Sequence, residues 1–198
     1  YWANPLQDWR IKGGRLECIH QGNDRNFQLL TYQAGPESSF EMEVTVSPPV
    51  QGYTGWAGFR FASRGNLDEY RHNAIHSVTG YEARLRTDGM MVLNDDSLKI
   101  GWTGKVVLVL ECRPEEGVHQ VSFTAEDMNG RVLGQVRSDF ESSGMNGNLA
   151  LVCHSDRNVP GSYGQAVISF GNLNLKGESL RGGESQRRGP VLWSQYTV

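Results

Sequence analysis

The sequence holds no hydrophobic run approaching the roughly 20 residues that a membrane-spanning helix needs. It also has no excess of charge of one sign, with 19 Lys and Arg against 22 Asp and Glu. A net charge of −3 and an isoelectric point near 6.0 give no electrostatic reason to expect nucleic acid or an anionic membrane as partner. Cysteine is scarce. Cys18, Cys112 and Cys153 are too few for a disulfide framework, cannot all pair within one chain, and form no closely spaced Cys-x-x-Cys metal or redox motif. Cys112 and Cys153 end apolar runs (VVLVLEC and LALVC), where a free thiol behaves as a small hydrophobe. Two states stay open: three structural thiols, or one bridge and one thiol. No Asn-x-Ser/Thr acceptor occurs, and neither a Gly-x-Ser-x-Gly elbow nor a phosphate-binding Gly-Lys loop is present. With no initiating Met and no secretory leader, Tyr1 reads as a processed or truncated end.

What the sequence has in abundance is glycine, 24 residues of it, and a two-residue rhythm of apolar and polar side chains. Phe40 to Val46 alternates cleanly, and so do Ala57 to Ala62, Tyr81 to Arg86 and Gln120 to Ala125. A strand sends successive side chains to opposite faces, so each segment has one face for a core and one for water. Nothing of comparable length repeats at the helical period. Asp88-Gly89 and Asn129-Gly130 are hairpin signals, and Pro48-Pro49 ends the strand before it. Lys105 to Cys112 is almost continuously apolar, the pattern of a central strand covered on both sides. About a dozen short strands separated by such turns predict an all-β, two-sheet antiparallel jelly-roll sandwich. Its core should draw on Phe40, Met42, Val44, Phe59, Phe61, Ala83, Leu85, Val107, Leu108, Leu110, Val121, Phe123, Leu151 and Ile168. The expected domain spans residues 1–177. Residues 178–198 read as a Gly/Ser/Arg-rich linker, with Arg181, Arg187 and Arg188, followed by the terminal strand VLWSQYTV leading to a further domain.

The alternation also says which polar groups share a face. With Phe59 and Phe61 inward, Trp56 and Arg60 point outward; with Tyr81, Ala83 and Leu85 inward, Glu82, Arg84 and Arg86 point outward. If these strands are neighbours, they make a face of carboxylates and guanidiniums beside a tryptophan, able to stack on a pyranose and bond its hydroxyls. Such a carbohydrate-binding face takes in Trp56, Arg60, Glu82 and Arg84, with Tyr70 and His72 from the adjoining loop; the bland reading is a solvated face with cross-strand ion pairs. The same polar loop, 64–79, holds His76 in a His-x-x-x-His spacing near Asp68 and Glu69, which bears on metal only if the rings align. Asp95, Asp96 and Asp156 stand at turn positions without the spacing of a calcium loop. For an enzyme, Glu41 and Glu43 are the strand carboxylates at glycosidase spacing, while Tyr81, His72, His76, Arg84 and Arg86 supply the residue types of a polysaccharide lyase.

The opening Asp8-Trp9-Arg10-Ile11 and Gly14 to Cys18, with the series FEMEVTV, GWAGFRF, YEARLRTDGMMVL and VVLVLECR, resembles the strands of concanavalin A-like, laminin-G-type sandwiches across roughly residues 8–176. Gly189 to Thr197 (GPVLWSQYT) resembles the segment that leads from such a sandwich into the metallophosphatase part of alkaline phosphatase D-like (PhoD-type) proteins. That second resemblance implies a non-catalytic N-terminal domain of an exported bacterial phosphatase or phosphodiesterase. It also implies a periplasmic or secreted location and docking onto glycan, glycolipid or the downstream catalytic domain. No catalytic or metal residue carries over, because the metal ligands of that family lie downstream. Lectins of the sandwich family often hold calcium at loop ends; no clear ligand set is present here, so no cofactor is expected, with calcium left open. A packing domain without a ligand of its own is the rival reading.

Overall fold

The computed structural model describes residues 2–4, 6–20, 22, 24–64, 79–156, 166–178 and 180. Its strands are β1 (Trp2–Asn4), β2 (Trp9–Lys12), β3 (Arg15–Cys18), β4 (Arg25–Ala34), β5 (Ser39–Val46), β6 (Gly55–Arg64) and β7 (Thr79–Arg86). They continue as β8 (Met90–Leu93), β9 (Asp96–Lys99), β10 (Val106–Glu115), β11 (Val118–Glu126), β12 (Val132–Glu141), β13 (Gly147–Ser155) and β14 (Ile168–Glu178). They form two seven-stranded sheets. The front sheet runs β1-β4-β13-β6-β7-β8-β9 and the back sheet β12-β11-β10-β5-β14-β3-β2, with every pairing antiparallel. Two meanders, β6 to β9 and β10 to β12, are joined by connections that pass from one sheet to the other. This is the predicted jelly-roll sandwich.

The period-2 pattern explains the core. Alternate residues of β5, β8 and β10 are buried, and their neighbours are half-exposed. Phe59 and Phe61 of the front sheet meet Phe123 and Phe140 of the back sheet edge-to-face at 6.2 and 5.4 Å, the arrangement that ring quadrupoles favour. Both hairpin signals hold: Asp88-Gly89 joins β7 to β8, and Asn129-Gly130 joins β11 to β12. At one edge β12 lies against β8 and β9 across the sandwich. Gly134 permits that approach, since a Cβ there would come within 2.6 Å of Ile100 Cγ2.

Two expectations need correction. Of the predicted core, Val107 faces outward and is half-exposed, and Val106 takes the inward place. The same parity shows that β10 is central in its sheet yet covered on one face only. A strand flanked by two neighbours is not thereby flanked by two layers. β1 and β9 had no legible pattern; β9 is exposed at all of its residues. No helix among the described residues is long and apolar enough to cross a membrane.

Candidate functional site

Strand β6 departs from the rule of one wet face: both of its faces are buried along nearly its whole length. It lies between β13 and β7, and the register sets three rows across the outer face of the front sheet. His154, Trp56 and Arg86 form one row; Asn26, Val152, Gly58 and Arg84 the next; Gln28, Ala150, Arg60 and Glu82 the third. Gly58 is the one position in the middle row where a side chain has no place. A Cβ there would come within 2.0 Å of the Ala83 carbonyl.

Arg60 is the hub. Its Nη1 donates to Asn26 Oδ1 at 2.8 Å, its Nε donates to Glu82 Oε1 at 3.1 Å, and its Nη2 pairs with the same Glu82 oxygen. Asp24 Oδ1 stands 3.5 Å from that nitrogen. The planar guanidinium fork is suited to serving three acceptors at once. Trp56 lies between two partners: the His154 ring stacks on it at 5.5 Å and 13°, and the Arg84 guanidinium sits 5.9 Å from its centroid. The second contact is within cation–π range.

His154 Nδ1 lies 3.0 Å from Asp24 Oδ1 and 3.3 Å from the Asp24 backbone nitrogen. With Nδ1 protonated the ring donates to the carboxylate; without that proton it accepts the amide. Asp24 itself has φ 45°, left-handed backbone that costs a non-glycine residue energy. Its carbonyl accepts a 2.7 Å bond from Asn26 Nδ2, which helps hold that conformation. The hydrogen bond with His154 is the largest influence on the Asp24 carboxyl, and with Arg60 it outweighs burial and holds the pKa below its usual 3.8.

This shift has a checkable consequence. A carboxylate with a depressed folded pKa adds stability that is fully present above its unfolded pKa. That stability is lost as pH falls through the folded value. In urea titrations from pH 5 down to pH 2, wild type should therefore lose more stability than Asp24→Asn, the two curves converging below pH 3.8. Parallel curves would show that the carboxylate contributes nothing in its ionised form.

The expectation that Trp56 and Arg60 stand open is not met. They point outward as the alternation requires, but retain only 4% and 5% of their exposure. Neighbouring strands supply their partners, and period-2 logic carries no information about that. Arg84 keeps 36% side-chain exposure and only a long 3.8 Å contact with Glu82, and its buried Nε has no acceptor. Glu82 is largely committed to Arg60. So Trp56, Arg60, Glu82 and Arg84 do come together, while Tyr70, His72 and His76 lie outside the described residues. Glu41 and Glu43 are on the outer face of the back sheet, away from this cluster, where Glu41 lies 3.4 Å from Lys176. Tyr81 turns inward with its ring 4.5 Å from Phe140.

Sequence reading missed Asp24, Asn26, Gln28 and His154. Asn26 and Gln28 alternate with the inward Phe27 and Leu29, so their outward direction was available. That β13 would pair with β6 on one side and β4 on the other was not. Gln28 is fully buried, and no protein group bonds either polar atom of its amide. Among the described residues no group of three or more His, Cys, Asp or Glu is placed to hold a metal ion.

No protein-family model matches this chain, and no curated protein matches its sequence. Solved structures do match. The basic winged bean lectin, determined with Tn-antigen, aligns at 11% identity with a TM-score of 0.59, covering 92% of this chain and 96% of that one. The fold is a lectin-type jelly roll. Lectin I-B4 from Griffonia simplicifolia, in a metal-free form, aligns at 8% identity with a TM-score of 0.50 over 86% and 91% of the two chains. At these identities the likeness establishes the concanavalin A-like jelly roll and leaves its ligand to be argued from the site.

Proposed function

We propose that this jelly roll is a non-catalytic carbohydrate-binding module that takes its saccharide at the rim of the Arg60 cluster. The observation that carries the reading is the geometry of Arg84. Its guanidinium is held on the Trp56 ring, with 36% of the side chain exposed and Nη1 at a long 3.8 Å from Glu82. Beside it stand Glu82, His154 and Asp24, which are also partly exposed. Alternating donors and acceptors on a rigid sheet suit the hydroxyls of a sugar, because their positions are fixed before the ligand arrives. Trp56 then serves as the support that orients Arg84 and His154, not as the stacking platform. The likeness to two lectins adds the fold-level analogy.

The test is a glycan array and polysaccharide pull-down, with and without calcium, on wild type, Arg84→Ala and Arg113→Ala. Arg113 is exposed on the back sheet and serves as the control. Binding should fall at least about tenfold in Arg84→Ala, the loss of a charged hydrogen-bonding group, and stay unchanged in Arg113→Ala. No binding by wild type under either condition would overturn the reading. One observation favours the alternative of a packing domain: the burial and full pairing of Arg60 and Trp56 would equally serve a purely structural sheet face.

The finer part of the proposal rests on sequence resemblance alone. It takes residues 1–177 as the module and 178–198 as the linker toward a downstream PhoD-type phosphatase or phosphodiesterase domain, in an exported bacterial protein. A glycan or glycolipid ligand would then hold that enzyme near its substrate.

A further inference from the structure

β12 is the outer strand of the back sheet, and among the described residues nothing pairs with its far side. The other outer strands are short, three residues in β1 and four each in β2 and β9, whereas β12 runs for ten. The one register irregularity of its ladder lies at Ala125 and Glu126, so from Gly134 onward the strand is regular, and it holds no proline. A long edge without such a blunting device is a template for another strand. Hydrogen-bonded and non-hydrogen-bonded residues alternate along an antiparallel pair, and Ser142 N donates to Gly117 O where the β11–β12 ladder ends. By that alternation Val136, Ser138 and Phe140 bond to β11. Gln135, Arg137, Asp139 and Glu141 turn their N–H and C=O groups to the open edge. The side chains of these four are exposed on the outer face, while Val136 and Phe140 are buried. Neither Arg137 nor Asp139 has an ion-pair partner among the described residues.

We propose that β12 pairs antiparallel with β12 of a second copy of this chain, about a two-fold axis at Ser138. The order of charges along the edge carries the argument. With Ser138 opposite itself, Arg137 meets the partner's Asp139 and Gln135 meets the partner's Glu141, each pair occurring twice. All four residues face their main-chain groups to the edge, so the ladder closes with about eight hydrogen bonds. Val136 meets the partner's Phe140 on the inner face, and the small Ser138 suits the close approach of a non-hydrogen-bonded pair. Moving the axis by one residue sets Arg137 against itself in one direction and Asp139 against itself in the other. Like charges directly opposite are unfavourable, so the charges select this register. The contact lies on the back sheet and does not rest on the proposed saccharide site. Its axis stands perpendicular to the joined sheet, which puts both front sheets on the same side. Two Arg60 clusters facing one way can then grip one polymer with a gain in avidity; that consequence alone rests on the proposed function.

The test is sedimentation velocity on the whole chain at about 1 to 300 μM, since so narrow a contact falls below the roughly 1,200 Å² of stable complexes. A monomer–dimer equilibrium with a Kd of about 1–100 μM is expected. Arg137→Asp and Asp139→Arg each set like charges opposite in both symmetric pairs and should raise Kd about tenfold. The variant carrying both changes restores opposite charges and should return to within about threefold of wild type. Arg137→Pro removes an N–H only from the open edge, where proline is tolerated. It should abolish the dimer while circular dichroism shows a folded monomer. A wild type that stays monomeric throughout would overturn the proposal. So would single reversals without effect, a double variant no better than either of them, or a dimer that survives in folded Arg137→Pro.

Discussion

Phe59→Ala is expected to destabilise the domain by about 3–5 kcal/mol, the usual cost of emptying an aromatic site in a packed core. Phe59 is fully buried on β6, at the centre of the front sheet, and its ring meets Phe123 of β11 edge-to-face at 6.2 Å and 87°. Strands on both sides hold the backbone, so the space cannot close by local collapse and a cavity remains. Urea titration should show a lower midpoint with an unchanged slope, and Tm should fall by roughly 6–20 °C. A loss under about 1.5 kcal/mol would mean that the sheets come together at this point, and that the two-sheet core is softer than its packing implies.

Arg60→Ala, one residue along the same strand, should cost about 2–3 kcal/mol for a different reason. The change removes the donors that serve Asn26 and Glu82 and the charge opposite Asp24. Breaking a buried pair by deleting one partner costs about 3–5 kcal/mol when the survivor is fully enclosed. Here Glu82 and Asp24 keep part of their exposure to water, which lowers the figure. Arg60→Lys keeps the charge but loses the fork that reaches three acceptors, so it should recover less than half of the loss. Denaturant midpoints of the two variants decide the matter: a change below about 0.5 kcal/mol for the alanine variant would show that the cluster contributes no stability. A large loss of stability in Arg60→Ala, beside a loss of glycan binding without instability in Arg84→Ala, would separate the hub from the rim.

The alternation in Phe40 to Val46 and Tyr81 to Arg86 made β5 and β7 legible, together with the direction of every side chain on them. The apolar run before Cys112 misled because Val107 and Val109 make the outer face of β10 apolar although only its inner face is covered. The short edge strands β1 and β9 carry too few residues for any pattern to emerge. The site was half legible. Glu82 and Arg84 followed from the rhythm of one strand, and Trp56 and Arg60 from that of the next. Their burial did not, and neither did Asp24, whose left-handed backbone in the crossover 19–24 has no signature in a single sequence.

By itself the sequence determined that the chain makes sheets, where its hairpins turn, and which face the side chains of its alternating strands take. Those are local matters, set by a pleat with a period of two and by turns that need glycine or asparagine. Only the tertiary structure decided that β13 inserts between β4 and β6, placing His154 on Trp56 and carrying Asn26 and Asp24 to Arg60. Strand order depends on crossovers between segments far apart in the chain. Their register is settled by the packing of both inner faces at once, so the partners of an outward arginine are written in the core on the other side of its own strand.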